Sequence, residues 1–526
     1  MHLSTRARAR SKEEMLESLR KLLATNRLEI ALIAAIGLLA LSVHMSDAPL
    51  IDWDEATYAE VAHEAVQNHD YLNLTWNGDP YFKKPPMLFW MIALSFKALR
   101  EGEIEARLPS MLLGTMTMVL LYFSASAAAG RGAGIFAAIA PLGFYFFVAR
   151  GGREAATDAP LLFFMTLSVL AIIRAPTHRA WMILAGAACG FAILSKGLAG
   201  AIAAIVAIGA VAMIPAYREV GVQGLAIFFA CAAIVASPWY LYAAVANHSA
   251  FWSVFVGQET LARVTSHLED HQRDLGFTID TLYREVGWLW PVLIPGAVLG
   301  IDSLRTGLRA ALRRIPPDAA VWVLWLAIAA AAAFAVQTRL PWYILPALMP
   351  IALLAGSAFG AALNAAGPAR TRSRCAAIVS LVVVAAMAPA RWTKINAGFR
   401  LQREHSIPSY MMAIRARNLA RERVGGELYF AGISLPTMVY YSGLKCHFVA
   451  PSPTGGVELI SDEGGLPPVG FHDLELVDPD GAALVVSNYD REWRISVSGD
   501  APAGRGRHRH IVRLPPGAIA ERKIRD

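Results

Sequence analysis

Apolar runs separated by short polar connections fill the chain as far as residue 390, at roughly 28–45, 86–99, 109–128, 132–149, 160–173, 181–194, 197–215, 224–246, 286–301, 320–337, 341–362 and 375–390. The pattern predicts a polytopic α-helical membrane protein with about 11–13 transmembrane helices. Several runs fall short of the ~20 residues of a perpendicular span, so they are extended by their flanks or are re-entrant and covered by neighbours. Beyond residue 390 the pattern changes. Short β-rich runs, Glu427–Ala431 and Ala482–Val486, alternate with Gly and Pro turns and predict a soluble α/β domain over 391–526. No internal repeat is evident.

Two polar connections are long enough to hold chemistry. The loop 46–85 carries Asp47, Asp52, Asp54, Glu55, Glu60, Glu64, Asp70 and Asp79 against Lys83 and Lys84. Within it Tyr58, Val61, Ala62, Ala65 and Val66 recur at helical spacing, with Glu60, His63, Glu64 and Gln67 opposite, which predicts an amphipathic helix lying in the membrane interface. The loop 247–285 mixes Trp252 and Phe255 with Glu259, Arg263, His267, Glu269, Asp270, His271 and Arg273.

Composition agrees with a membrane class. Hydrophobic residues are 56% and charged residues 17% of the 526, against roughly 45–50% and 25% in soluble domains. The net charge of +7 comes from clusters beside apolar runs: Arg6 to Arg27 before the first, Arg305 to Arg314 and Arg370 to Arg374 between later ones. That is the positive-inside pattern, and nucleic acid is an unnecessary hypothesis. It places residues 1–27, 302–319 and 363–374 in the cytoplasm, and 46–85, 247–285 and the tail outside. Forward and backward counting disagree at Asp158, so one of the three runs between residues 86 and 150 does not cross fully. The basic N-terminus lacks a small-residue cleavage site after the first run and is expected to be retained. Of four cysteines only Cys446 lies in the polar tail, so no disulfide forms within it.

The candidate chemistry sits in Asp52-Trp-Asp54-Glu55-Ala-Thr-Tyr58-Ala-Glu60 and Tyr81-Phe-Lys83-Lys84-Pro85-Pro86. A carboxylate at the start of a membrane-proximal helix can act as base on an acceptor hydroxyl. A lysine at the mouth of a span can hold a phosphate at headgroup level. Structural readings stand beside these: Asp54 as a helix N-cap, Lys84 as a snorkelling side chain, Pro85-Pro86 as helix-start residues. Their concentration in one loop beside the membrane favours a functional site.

The order Asp-Glu-x-x-Tyr-Ala-Glu, then Lys-Pro-Pro, resembles the ArnT and protein O-mannosyltransferase group of GT-C glycosyltransferases. Glu105-Ala-Arg107-Leu-Pro109-Ser110, Thr157-Asp158-Ala-Pro160, Ser195-Lys196-Gly197 and Arg339-Leu-Pro341-Trp-Tyr343-Ile-Leu-Pro346 extend the resemblance, as does Ser434 to Gly443 in the tail. It implies a GT-C-like fold and an inverting transferase using a polyprenyl-phosphate-linked sugar on the external face of the bacterial inner membrane. The acceptor would be lipid A, another glycolipid, a surface glycan or a protein hydroxyl. Carried over, Asp54 is the catalytic carboxylate, Lys84 binds the carrier phosphate, and Glu55 and Tyr58 flank the pocket. Arg263 and Tyr343 are further phosphate contacts, Arg339 belongs to the same set, and Asp158 is a second acidic position that also fits an N-cap.

The departures bear on metal and sugar. Thr57 stands where the ArnT branch has Arg. Lys83 and Thr260 stand where that branch has metal-ligating Glu and His, so no cofactor is implied; Lys83 instead adds positive charge at the phosphate. A His267/His271 pair at i, i+4 is an alternative metal site, set against a solvated loop pair. The competing functional class is a transporter or flippase of lipid-linked sugars, which would favour repeats and midplane charge. Here the ionisable residues lie mainly in loops, with Lys196 the exception, placed where it can reach an interface.

Overall fold

The computed structural model describes residues 26–266, 273–292, 294, 316–365, 370–404 and 406–422, and in the rest of the tail 428–431, 436–452, 456–460, 474–477, 484–488, 493–496 and 510–513. The basic N-terminus, most of the Arg-rich loop 302–319, and His267, Glu269, Asp270 and His271 lie outside the described residues. The chain divides into two compact units, Met1–Met45 with Phe82–Gly398, and Ser46–Tyr81 with Phe399–Asp526.

The first unit is helical. Among the described residues six helices are long and apolar enough to cross a membrane: Glu103–Ala129, Trp181–Met213, Gly221–Thr265, Pro317–Ala335, Pro341–Leu363 and Arg370–Leu401. Arg27–Ser42 and Asp158–Arg174, at 16 and 17 residues, are slightly shorter. The sequence runs 181–194 and 197–215 form one such helix, interrupted at Gly197 (φ 53°), a left-handed position that favours glycine. Leu39, Leu94, Met213 and Ile234 are exposed, as lipid-facing side chains are, while Trp322, Trp325, Leu348 and Met349 fill the core. At Gly186 a Cβ would lie 2.1 Å from Phe228 O, so the Trp181 and Gly221 helices touch backbone to backbone there.

The three runs between residues 86 and 150 differ in kind. Met87–Ala98 has 12 residues, about 18 Å of helix against a ~30 Å hydrocarbon core. Glu103–Ala129 has 27 and runs in one piece. Arg131–Gly143 and Tyr145–Arg153 are bent 84° to each other. The bend is held by Arg391, whose Nε donates to Gly143 O at 2.8 Å, and by Glu285, which accepts from Phe146 N at 3.4 Å. Two of the three runs thus depart from a simple span.

The second unit joins the first polar loop to the tail. Helix Asp54–Gln67 buries Glu55 to Ala62 and Ala65, packing on helix Pro436–Ser442. The expected stripe is present, but Glu60 on the polar face is buried as well. Protein therefore covers both the apolar stripe and Glu60, and helix Pro436–Ser442 supplies part of that cover. A two-strand hairpin, Thr75–Trp76 with Asp79–Pro80, turns at Asn77-Gly78, both at positive φ as a tight hairpin turn requires. The Asn77 amide clasps Cys446 in both directions, at 2.8 and 3.0 Å. The tail's largest sheet has five strands in the order Gly456–Ile460, Cys446–Ser452, Leu428–Ala431, Leu484–Asn488, Leu474–Val477. The central strand pairs parallel on both sides and the outer strands antiparallel.

Candidate active site

Lys84 and Arg263 converge on one carboxylate. Glu259 lies in a π-helical segment, Trp252–Ala262, whose wide turn lets Thr260 Oγ donate to Phe255 O five residues back at 2.8 Å. Lys84 Nζ pairs with Glu259 Oε2. Arg263 donates from Nη2 to Oε1 at 3.1 Å and from Nε to Oε2 at 3.2 Å. The side chains of Lys84, Glu259 and Arg263 are 21%, 11% and 14% exposed, so the ion pairs are shielded but reachable.

The loop around Arg263 is pinned through its backbone. Thr338 N donates to Arg263 O at 3.2 Å and Gln337 N to Val264 O at 3.3 Å. Thr338 Oγ donates to Ser266 O at 2.9 Å, and Arg339 Nη1 to Arg273 O at 2.6 Å. Arg339, expected beside the phosphate, thus spends one guanidinium nitrogen on a loop carbonyl. Lys83 is half-buried beside Lys84 in sequence.

Asp158 opens helix Asp158–Arg174 and is buried. Its Oδ2 accepts from Arg150 Nε at 2.9 Å and its Oδ1 from Lys196 Nζ at 2.5 Å. Arg150 also faces Glu154 at 3.6 Å and stacks over Trp342, 4.2 Å from the ring centre. Tyr343 lies under Lys196, with 5.9 Å from Nζ to its ring. Neither an N-cap nor a lone base describes Asp158: both its oxygens hold cations that fix Trp342 and Tyr343. Lys196, the exception among the loop charges, is turned to this carboxylate.

In the second unit Asp54 is the first residue of its helix, not the N-cap, which is Trp53 at φ 74°. Positive φ is rare for a bulky side chain and marks a constrained position. Tyr58 Oη donates to Asp54 Oδ1 at 2.9 Å. Glu55 is buried, and its Oε2 accepts from Ile51 N at 2.9 Å, capping the chain entry. Asp52 is the residue that sequence reasoning passed over. It is buried, Oδ2 accepts from Ser409 Oγ at 2.7 Å, Oδ1 accepts from Thr437 N at 2.9 Å, and its own N–H donates to Ser406 Oγ at 3.0 Å. Burial pushes its carboxyl above the ordinary range, against the bonds from Thr437 and Ser409.

The structure therefore brings Lys84 to Arg263, Tyr58 to Asp54, and Tyr343 to the cation paired with Asp158. Glu259 was legible as an i, i+4 partner of Arg263; Arg150 had no comparable signal toward Asp158. Among the described residues no three His, Cys, Asp or Glu side chains are grouped to hold a metal ion.

Known proteins resemble this chain in sequence and in fold. Residues 83–242, which contain Lys84, Arg150, Asp158 and Lys196, match the family described as dolichyl-phosphate-mannose-protein mannosyltransferase. The undecaprenyl phosphate-alpha-4-amino-4-deoxy-L-arabinose arabinosyl transferase of Pseudomonas paraeruginosa is 29% identical over 337 residues, 62% of this chain and 58% of the relative. The enzyme of the same name from Yersinia pestis is 25% identical over the same shares. The match thus spans less than two thirds of these relatives' length. ArnT from Cupriavidus metallidurans bound to undecaprenyl phosphate superposes with a TM-score of 0.63 at 19% identity, over 80% of this chain and 85% of that one. Residues 83–242 thus resemble the dolichyl-phosphate-mannose-protein mannosyltransferase family, within a multi-pass helical membrane protein whose fold is like that of ArnT.

Proposed function

We propose that this chain is an inverting glycosyltransferase that moves a sugar from a polyprenyl-phosphate carrier to a lipid or glycan acceptor, with lipid A a leading candidate. The observation that carries the reading is the meeting of Lys84 and Arg263, two cations that reach one partly shielded carboxylate, Glu259, which lies 175 positions from Lys84. Glu259 balances one of these two positive charges, and a carrier phosphate would supply a further anion for the pair. The relatives named as arabinosyl transferases and the neighbour bound to undecaprenyl phosphate support the same donor class. They give no support to a flippase.

In this scheme the acceptor hydroxyl attacks the anomeric carbon as Asp54 takes its proton. The new C–O bond forms, the bond from carbon to the carrier phosphate oxygen breaks, and the phosphate leaves with the electron pair. Tyr58 orients Asp54, while Lys84 and Arg263 stabilise charge that grows on the leaving phosphate. The polyprenyl donor and this chemistry belong to the external face, following the charge asymmetry of the loops.

Mass spectrometry of lipids and glycans from strains with and without the chain tests the proposal. A species heavier by one sugar should vanish on deletion, return with the parent gene, and stay absent with Asp54→Asn. Unchanged lipids and glycans in the deletion strain would sink it.

A further inference from the structure

Glu259 halves the positive charge of the pair it joins. Lys84 and Arg263 would present two positive charges, but with the carboxylate held between them the three side chains in contact sum to one. The charge of the ligand changes during the proposed reaction. A sugar-linked carrier is a phosphodiester with a single negative charge. The spent carrier is a monoester of about −1.5 to −2 at pH 7, because its second ionisation lies near pH 6. Attraction to the site grows in proportion to ligand charge, whereas the cost of removing an anion from water grows with its square. Each unit of positive charge that a carboxylate removes from a partly shielded site therefore favours the monoanionic diester over the dianionic product.

We propose that Glu259 is a specificity-determining residue that sets the cluster to hold the sugar-bearing diester and to release the spent monoester. This rests on the carrier-phosphate reading above. The Lys84 and Arg263 contacts supply the grip, and the Glu259 carboxylate limits it. The Glu259–Arg263 pair lies one helical turn apart, on a loop whose backbone Thr338 fixes, so the carboxylate stays between the two cations by construction.

Two probes read the effect in nanodiscs holding the full chain: undecaprenyl phosphate, and its methyl phosphodiester. In the parent, the diester should bind at least as tightly as the monoester. Glu259→Gln should tighten monoester binding by roughly ten-fold more than diester binding, the order expected for one charge unit at this depth. Should Glu259→Gln fail to accumulate, Arg263→Gln reads the site from the other side and should weaken the monoester more than the diester. Equal effects on both probes, or loosening of both by Glu259→Gln, would make Glu259 only a strut between the cations and overturn the inference while leaving the phosphate site intact. Lys84→Ala that binds both probes like the parent would overturn the phosphate reading itself.

Discussion

The phenol of Tyr58 donates to Asp54 Oδ1 at 2.9 Å from one turn further along the same helix. A hydrogen bond to a carboxylate contributes about 1.5–3 kcal/mol and fixes which lone pair remains aimed elsewhere. Asp54→Asn should abolish transfer with folding and insertion intact. Tyr58→Phe should keep the base but lose its orientation, reducing turnover about ten- to hundred-fold. Turnover by purified variants in proteoliposomes checks both. Full activity in a well-expressed Asp54→Asn protein would remove Asp54 from the mechanism.

Asp52 anchors the strained entry to that helix. Asp52→Ala would leave the buried Ser409 hydroxyl and Thr437 N–H without their acceptor, at about 1–3 kcal/mol each. Asp52→Asn keeps an acceptor for Thr437 and should fold. Because burial raises the Asp52 carboxyl above 3.8, the native protein holds this proton more tightly than the unfolded chain. The contribution to stability is then full below that value and is lost as pH rises through the native pKa. In detergent, the melting temperature of the parent should fall as pH rises from 4, and the Asp52→Asn protein should lose that slope because asparagine does not titrate. An unchanged pH slope in the asparagine variant counts against the anchor.

Much of the fold was readable because it is local. Hydrophobic runs mark the spans, and the i, i+4 spacing of Asp54 with Tyr58 and of Glu259 with Arg263 needs only helical geometry. Asn77-Gly78 was an equally local hairpin signal that went unused. What escaped is non-local. Asp52 was one acid among eight in its loop, and its partners lie 354 to 385 positions away. Arg150 and Lys196 reach Asp158 only through tertiary packing around a bent segment. The protein cover on the Asp54 helix escaped for a related reason: an amphipathic stripe specifies burial of one face, not whether lipid or protein covers it.

Asp158 should behave unlike Asp54. Its carboxylate balances Arg150 and Lys196 in a buried setting, and removing one member of a buried ion cluster typically costs about 3–5 kcal/mol. Asp158→Ala should therefore lower thermal stability and yield as well as activity. Asp158→Glu should recover part of both, since it restores the charge. Fluorescence-detected melting of the detergent-solubilised variants decides it, and a stable but inactive Asp158→Ala protein would instead favour a direct catalytic part.

Metal dependence offers a third contrast. Thr260 spends its hydroxyl on Phe255 O, and Lys83 is cationic at the pH of assay. Neither suits a metal in the way the glutamate and histidine of the ArnT branch do. Activity should persist after exhaustive chelation, and elemental analysis should find no stoichiometric zinc. One tightly bound zinc per chain, lost in His267→Ala, would revive the loop-histidine site.

Donor binding and chemistry should separate cleanly. Lys84 and Arg263 act on the carrier phosphate in the proposed scheme, whereas Asp54 acts on the acceptor hydroxyl. Each charge-assisted contact to phosphate contributes about 1.5–3 kcal/mol, so Lys84→Ala and Arg263→Ala should each weaken undecaprenyl-phosphate binding about ten-fold or more. Their effects should not add, because either change leaves Glu259 to neutralise the cation that remains. The double variant should then lose less than the product of the two single losses. Asp54→Asn should bind donor almost as the parent does, and Lys83→Ala should lose less than Lys84→Ala, whose Nζ is the one placed on Glu259. Lipid-binding isotherms in nanodiscs measure the five variants and the parent under one ionic strength, which matters because exposed charge is screened by salt. Parent-like binding by Lys84→Ala would reduce Lys84 to an interfacial lysine paired with Glu259, and the carrier phosphate would have to be held elsewhere.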